Sequence, residues 1–471
     1  MKKVKMLSIA LTAAFAFTTA PVVSDLTGDI TGNKDCCALS PAGQNTVSQT
    51  TYDMFSLRPA YAQAQEPVDY NSSLRYLPLM THTRYFVDKD EKGELMRSHW
   101  TGIEVFSVDY QGPRQPVETM TNALDSYSAK EEQSFDSTRR KMLGDAIKDR
   151  SMRLAGGSDF FPAYQENGDI LVRRSDFRVV SFLEDGYSYL GGAHGLGGVV
   201  GRNFDVHTGR ELKLADVVKD KTRLAEAIKQ QLMFDYPNSS FAQSGGTSMK
   251  ETVDQLIRED KILWSLDPRG ISFYFNPYLI GSYAEGIFTT TIFFSERPDL
   301  FVKNAASDII EWRGPQAYCM EIRPYMKIRL SDSPRDERLY VANDSDKIII
   351  EYCGEKLEDF VNNKEIRPVL VNLFDGRKYL YVDYTQVTNN FRLRVYDLNG
   401  ESPKFVGEYP LTRLTTSPQD SENRAWYIMS DPNEFYMNST KDTSLVPLNR
   451  VTCRVGANGA PEAYEVEGAK G

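Results

Sequence analysis

Few residues of this sequence have the type and spacing that chemistry at a protein site requires. The chain contains only four histidines, which are His82, His99, His194 and His207. Two of them flank Asp205, and two imidazoles with a carboxylate are suitable zinc ligands. Their spacing matches no zinc pattern, however, and Asp205 to Gly209 is typical of a turn. We therefore expect no metal and no other cofactor, and we interpret His194 as an imidazole that is hydrogen-bonded within a tight loop.

Searches for catalytic motifs give no match in this sequence. It contains no Gly-x-Ser-x-Gly, His-Glu-x-x-His, Cys-x-x-Cys or Walker motif. The glycine-rich run from Gly191 to Gly201 fails as a dinucleotide fingerprint because Val200 replaces its third glycine. One enzymatic alternative stays open, an envelope glycan hydrolase that uses Asp205 and Glu285 as acid and base. We favour a protein without a catalytic centre.

Two groups of ordered motifs surround these residues. The first consists of Tyr187-Ser188-Tyr189-Leu190-Gly191-Gly192-Ala193-His194-Gly195, Asn203-Phe204-Asp205 and Thr208-Gly209-Arg210-Glu211-Leu212. The second consists of Gly270-Ile271-Ser272-Phe273-Tyr274-Phe275-Asn276-Pro277-Tyr278 and Tyr283-Ala284-Glu285-Gly286. Together they resemble the RsiV-type extracytoplasmic domain, over roughly residues 98–301. This is the C-terminal domain of the sigma-V anti-sigma factor, and it also occurs beside peptidoglycan deacetylase domains.

The resemblance implies a binding role for the region where the motifs concentrate. It implies that the partner is a lysozyme-like protein or peptidoglycan. Tyrosines have flat amphipathic faces that either pack in a core or stack on sugar rings, and both alternatives stay open. The ligand-binding residues expected from the motifs are Tyr187, Tyr189, Gly191, Gly192, His194, Gly195, Asn203, Asp205, Tyr278 and Tyr283.

Two activities of proteins that carry this domain are not expected here. An anti-sigma factor needs a cytoplasmic segment, and only Met1 to Lys5 precede the first apolar run, so we expect no sigma factor as partner. A deacetylase needs a metal-binding catalytic domain, and no histidine follows Phe301. The expectation is therefore a binding protein rather than a regulator of transcription or a deacetylase.

The chain begins with the pattern of an export signal. A lysine-rich start precedes an apolar run from Met6 to Ala20, which predicts a signal peptide over residues 1–20. We expect a secreted or extracytoplasmic protein, in the periplasm or on the cell surface. The apolar run extends to Val23, so membrane attachment is expected only if the leader is uncleaved.

The net charge indicates which partners the protein attracts. Lys and Arg number 55 and Asp and Glu number 65 among 471 residues, a net charge of −10. Loss of Lys2, Lys3 and Lys5 with the leader makes it −13. Such a surface repels nucleic acid and attracts basic proteins, which favours the lysozyme-like partner.

Composition and periodicity predict an α+β fold in two parts. Residues 21–69 lack periodic apolar positions and form a predicted tether. Residues 70–312 form the RsiV-like domain of mixed helices and antiparallel sheet, with helices predicted at Val117 to Arg150, around Leu224 to Leu232, and at Thr252 to Leu263. Residues 316–471 form a smaller, mostly β domain of unknown role, which we expect to be a small sandwich or an open meander.

Five cysteines are distributed unevenly along the chain. Cys36 and Cys37 lie near the leader, and Cys319, Cys353 and Cys453 lie in the last third. Only the latter three could staple a fold, and an odd number leaves one thiol over if a bridge forms. The sequence leaves open whether any disulfide forms and which oligomeric state the protein adopts.

Overall fold

The fold is described from a computed structural model of the chain. It describes residues 76–106, 114–302, 317–331, 337–344, 346–386, 391–411, 414–415, 424–438 and 450–463. The predicted signal peptide, the tether and the boundary near residues 313–316 lie outside the described residues. No helix within the described ranges is long and apolar enough to cross a membrane.

The first element of the architecture is a seven-stranded sheet. Its order is β18-β19-β1-β2-β3-β4-β5. Five of its strands come from the N-terminal half, namely β1 (Leu79–Asp90), β2 (Gly93–Val105), β3 (Tyr164–Ser175), β4 (Val179–Tyr189) and β5 (Leu196–Asp205). The two others come from the C-terminal part, β18 (Leu414–Thr415) and β19 (Arg424–Tyr427). All neighbours are antiparallel except β2 and β3.

A long helix explains the single parallel pair. Helix α1 (Arg114–Ala155) connects β2 to β3 and packs on the sheet, and a crossover of this kind lets two strands run in the same direction. The predicted helix from Val117 to Arg150 lies wholly within α1. The sequence predicts an imperfect apolar stripe on this helix at Met120, Leu124, Tyr127, Met142 and Ala146. All five are buried except Tyr127, which is half-buried.

Four further helices pack with a three-stranded sheet. The helices are α2 (Leu214–Val217), α3 (Lys221–Asp235), α4 (Ser240–Gln243) and α5 (Thr247–Arg258), and the strands are β6 (Leu263–Leu266), β7 (Gly270–Phe275) and β8 (Phe288–Phe293). The prediction of one helix from Thr252 to Leu263 is wrong at both ends. The chain leaves the helix after Arg258 because Asp260 adopts a left-handed φ of 56°, and Leu263 already begins β6.

The C-terminal part is built almost wholly of strands. One sheet has the order β17-β16-β15-β14-β9, a second the order β10-β11-β12-β13, and a third the order β20-β21-β22. Their bounds are β9 (Tyr318–Glu321), β10 (Ile328–Arg329), β11 (Arg338–Asp344), β12 (Lys347–Tyr352), β13 (Glu355–Phe360), β14 (Asn363–Asn372), β15 (Lys378–Gln386), β16 (Phe391–Asp397), β17 (Lys404–Leu411), β20 (Phe435–Asn438), β21 (Arg450–Val455) and β22 (Pro461–Ala463). The α+β class with a mostly β C-terminal part is confirmed.

The N-terminal and C-terminal parts of the chain contribute strands to one sheet and side chains to one apolar cluster. Strand β19 pairs with β1, with Trp426 opposite Thr81. One apolar cluster includes Leu171 and Leu183 of the first sheet together with Leu370 and Leu380 of β14 and β15. The division into two independent domains stays a prediction, which limited proteolysis tests. Cys319 and Cys453 are free thiols, and both are buried.

Candidate functional site

The candidate site begins at the hairpin that joins β4 to β5. Tyr187 near the end of β4 pairs with Gly197 near the start of β5. A Cβ atom at Gly195 would collide with the Tyr187 ring, and one at Gly197 would stand 3.6 Å from its Cδ2 atom. The two glycines therefore let this ring lie directly against the backbone of β5.

A single amide side chain fixes a second loop beside this hairpin. Asn276 follows the last residue of β7, and its Oδ1 atom accepts a hydrogen bond from the backbone N–H of Val199 at 2.9 Å. Its Nδ2 atom donates to the Val199 carbonyl at 3.1 Å. Asn276 thus imitates a paired strand residue and holds the segment that carries Tyr278 and Tyr283 against β5.

Three rings meet where the two loops touch. The rings of His194 and Tyr283 are stacked with centroids 4.0 Å apart, and those of Tyr283 and Tyr278 with centroids 5.8 Å apart. The Tyr283 hydroxyl donates to the Gly195 carbonyl at 2.8 Å, and His194 Nδ1 lies 2.9 Å from the same oxygen. We call His194, Tyr283 and Tyr278 the aromatic stack. The aromatic stack joins the two groups of sequence motifs, because His194 belongs to the first group and both tyrosines belong to the second. It agrees with our interpretation of His194 as an imidazole that is hydrogen-bonded within a tight loop.

Tyr278 is the outermost member of the stack. Its side chain is 61% exposed, and its backbone has a φ of 72°, in the left-handed region that a tyrosine seldom adopts. Tyr283 is half-buried and anchored by its hydroxyl, whereas His194 is exposed. The stack therefore has a fixed inner ring and an accessible outer ring.

The remaining residues of the hairpin have separate roles. Tyr189 lies two residues after Tyr187 on the same face of β4 and is half-buried. Of the glycines Gly191, Gly192 and Gly195, only Gly191 has a positive φ, at 73°. Gly192 is exposed with open space around its α-carbon. Gly195 must be glycine because the Tyr187 ring occupies the space that a side chain would need.

Asn203 and Asp205 are not brought to the aromatic stack. They lie at the far end of β5, roughly 23 Å along the strand from the hairpin. Asn203 is buried, and its Oδ1 atom accepts hydrogen bonds from Ser181 Oγ and from the backbone N–H of Leu266. Its Nδ2 atom donates to the Trp264 carbonyl at 3.1 Å. Asn203 therefore joins the first sheet to β6.

Asp205 builds the turn that the sequence predicts. Its Oδ1 atom accepts hydrogen bonds from the backbone N–H groups of His207 and Thr208, at 2.9 and 3.0 Å. This turn places His207 at the opposite end of β5 from His194. The described ranges contain no group of three or more histidine, cysteine, aspartate or glutamate side chains that could hold a metal ion.

Glu285, the other carboxylate of the hydrolase alternative, is occupied by structural hydrogen bonds. Its Oε1 atom accepts from the Ser240 backbone N–H, and its Oε2 atom accepts from both serine hydroxyls and the Ser282 backbone N–H, at 2.7 to 2.9 Å. Partial burial opposes ionisation, but these bonds outweigh it and lower the pKa of Glu285 to about 2. A carboxyl that stays ionised at neutral pH is unsuited to the role of general acid.

Glu285→Gln should lower the free energy of unfolding by about 1–2 kcal/mol at pH 7, because charge-assisted bonds to Ser240 and Ser282 are lost. Since folding lowers this pKa, the stabilisation is present above pH 4.5 and disappears as the pH falls towards 2. Urea unfolding at pH 7 and pH 3 measures both effects. Glu251→Gln, on the exposed face of α5, is the control. Equal free energies of unfolding for the two variants at both pH values would contradict the structural role of the hydrogen bonds to Glu285.

Sequence reasoning missed Asn276 as a positioning residue. The signal was present, because an asparagine between a buried strand and a proline is typical of a side chain that bonds to backbone. Its partner was not predictable, because Val199 is 77 residues away in the chain.

Comparisons with known proteins give a family of unknown function. Residues 215–295 match the family described as "Protein of unknown function (DUF3298)". This family match is coarser than the predicted RsiV-type resemblance, which stays a prediction. No curated protein matches the chain.

Two solved structures of the same family are similar to part of the chain. A DUF3298 family member from Bacteroides fragilis has 17% identity and a TM-score of 0.40, and the alignment covers 50% of this chain and 99% of that one. A DUF3298 family protein from Pseudomonas aeruginosa has 12% identity and a TM-score of 0.34, with 51% of this chain and 99% of that one covered. Because these sequence identities and TM-scores are low, we assign no site and no function to this chain from the two structures.

Proposed function

We propose that this chain, with its match to DUF3298, is an exported, non-catalytic binding protein of the bacterial cell envelope that recognises peptidoglycan through the aromatic stack. The observation that carries the proposal is Tyr278, an exposed aromatic ring held in left-handed backbone conformation at the end of a stack of rings. Export and envelope location rest on the leader pattern and on the RsiV-type resemblance.

The backbone of Tyr278 supports a role for its side chain. A left-handed conformation costs a non-glycine residue of the order of 1 kcal/mol, and glycine would avoid that cost. The ring is 61% exposed, and its stacking on Tyr283 is the one ring contact described for it within the fold. A tyrosine at a position with a left-handed backbone and an exposed side chain is explained if its ring contacts a ligand.

The chemistry of the stack fits a sugar better than an ion. Aromatic faces bind flat apolar surfaces such as those of pyranose rings, and the tyrosine hydroxyls supply polar groups at the edge. The stack itself contains no carboxylate and no lysine or arginine. The geometry therefore favours the glycan of peptidoglycan as the ligand.

A lysozyme-like protein is the second candidate. It is favoured by the net charge of −10, which attracts a cationic partner over long distances. Charge of this kind increases the rate of association without selecting a site. We therefore place it behind peptidoglycan.

Tyr278→Ala should weaken binding to purified peptidoglycan about tenfold, which is the typical loss for truncation of a central aromatic contact. The melting temperature should stay close to that of the wild type, because the ring is exposed. Tyr278→Phe keeps the ring and should bind almost as the wild type does. Pull-down on peptidoglycan and calorimetry against lysozyme are the two measurements.

Phe374→Ala is the matched control, because it removes a ring that is 69% exposed on the turn between β14 and β15. Binding to lysozyme alone would select the second candidate. Absence of binding to either partner by the folded wild type would remove the proposed function.

A further inference from the structure

The sheet register places four polar and aromatic residues in one row beside the aromatic stack. Tyr85 of β1 pairs with His99 of β2, His99 with Asn167 of β3, and Asn167 with Tyr187 of β4. Residues that are paired across strands project to the same face of a sheet. All four are half-buried, so the row is a partly open surface rather than core.

A second row runs parallel to the first on the same face. Arg97 of β2 pairs with Gln165 of β3, and Gln165 pairs with Tyr189 of β4. These residues stand two positions along each strand from the first row, which keeps their side chains on its face. We call the two rows together the sheet strip, which consists of Tyr85, Arg97, His99, Gln165, Asn167, Tyr187 and Tyr189.

Contacts within the strip hold its side chains in place. The rings of Tyr85 and His99 are 5.3 Å apart, and His99 stands directly opposite Asn167 in the sheet register. The Tyr187 ring lies against Gly195 and against Gly197 of β5. The Gly195 carbonyl in turn accepts the hydrogen bond from Tyr283 of the aromatic stack. The strip and the stack are therefore continuous.

The charged groups that border the strip include three ion pairs and one exposed carboxylate, Glu365, which lies near His99. Asp169 lies 2.9 Å from Arg367, and Asp185 lies 2.9 Å from Arg323. Arg97 pairs with Glu94. Burial lowers the pKa of His99, so its imidazole is neutral at neutral pH. The strip thus offers rings, amides, a neutral imidazole and the paired guanidinium of Arg97, and this mostly uncharged surface suits an uncharged polar ligand.

We propose that the sheet strip is a binding groove for a linear, uncharged glycan chain, with the aromatic stack at one end. The choice of a glycan rests on the proposed function, whereas the extent of the groove rests on the register alone. Strands are about 4.8 Å apart, so the row from Tyr85 on β1 to Tyr187 on β4 is roughly 14 Å long. Several sugar rings in line fit this length, with amide side chains between the aromatic ones. A cationic protein segment fits less well, because Asp169 and Asp185 are already paired with arginines and Glu365 is the one exposed carboxylate described beside His99.

The proposal predicts that affinity depends on chain length. The probes are β-1,4-linked N-acetylglucosamine oligomers from the dimer to the hexamer, which are neutral, and calorimetry on the full chain measures each affinity. We expect affinity to rise at least about tenfold from dimer to hexamer. Tyr85→Ala, at the far end of the strip, should remove this gain and leave the dimer unaffected. Tyr278→Ala should weaken all lengths.

Further variants keep the test independent of folding. Gln165→Ala removes a half-buried amide from the middle of the strip and should also reduce hexamer affinity, so it serves if Tyr85→Ala does not fold. Gly195→Ala should displace the Tyr187 ring and reduce binding, whereas Gly144→Ala, on the exposed face of α1, has open space around its new methyl group and should not.

The outcomes separate the groove from the proposed function. Equal affinities for dimer and hexamer, or a full length dependence in folded Tyr85→Ala, would overturn the groove while leaving binding at the stack. Binding of lysozyme without binding of any oligomer or of peptidoglycan would overturn both.

Discussion

Arg173→Met should lower the free energy of unfolding by about 3–5 kcal/mol, the usual cost of leaving a buried carboxylate without its cation. Arg173 is 1% exposed, and its Nε and Nη2 atoms donate to Asp267 at 3.0 and 2.6 Å. Burial alone would lower the pKa of Arg173. The neighbouring Asp267 carboxylate raises this pKa by more than burial lowers it, so the pair stays charged. Methionine fills similar volume, which restricts the effect mainly to the lost charge.

The position of Arg173 explains why the effect should reach the whole molecule. Its Nη1 atom donates to the Glu321 carbonyl at 2.8 Å, and Glu321 ends β9 in the C-terminal part. The guanidinium thus connects β3, the turn between β6 and β7, and β9. We expect Arg173→Met to loosen the contact between the N-terminal and C-terminal parts as well as to lower stability.

Urea unfolding followed by tryptophan fluorescence measures the change. Arg210→Met is the control, because Arg210 pairs with Asp216 at an exposed site and its loss should have a much smaller effect on stability. Adding Asp267→Asn to Arg173→Met should recover part of the loss, since the amide removes the unpaired charge. A loss in Arg173→Met no larger than in the control would contradict the role of the buried pair.

Glu166→Gln should stabilise the protein by about 2–3 kcal/mol at pH 8 and by much less at pH 5. Glu166 lies on β3 between Ser98 of β2 and Ser188 of β4. Burial raises the pKa of Glu166 from 4.5 to about 7. The folded state therefore binds more protons than the unfolded state between these values, and stability falls as the pH rises through this window.

The size of the effect follows from the shift in pKa, since each unit corresponds to about 1.4 kcal/mol. Glutamine has nearly the same shape and no charge, so the variant avoids the cost of ionising a carboxyl away from water. Unfolding curves at pH 5, 6, 7 and 8 measure the difference. Glu91→Gln, at an exposed turn, should follow the wild type at every pH. A constant difference between Glu166→Gln and the wild type across this range would refute the assignment.

Local patterns were sufficient for much of the secondary structure. The apolar stripe at Met120, Leu124, Met142 and Ala146 identified the longest helix, because burial of one face follows the period of the helix. A run rich in β-branched and aromatic residues predicts a strand at Lys347 to Tyr352, and this segment is β12. The end of α5 was missed, because a single left-handed residue, Asp260, leaves no periodic signal.

The candidate site was predicted in part, for a physical reason. Residues close to the β4–β5 turn meet because a hairpin brings its own neighbours together, so Tyr187, His194 and Gly195 belong to one place. Asn203 and Asp205 belong to the same sequence motif but lie at the far end of the strand. Proximity in sequence therefore indicated a site only as far as the turn extends.

The sequence by itself determined the α+β composition, the turn at Asp205 and the glycine-rich hairpin, because these depend on periodicity and on local hydrogen bonds. Only the tertiary structure decided that Tyr85, His99 and Asn167 stand in line with Tyr187. It alone decided that Arg173 meets Asp267, 94 residues away. Such pairs depend on strand register and crossover connection, which are fixed by how the whole core packs and leave no pattern in any single segment.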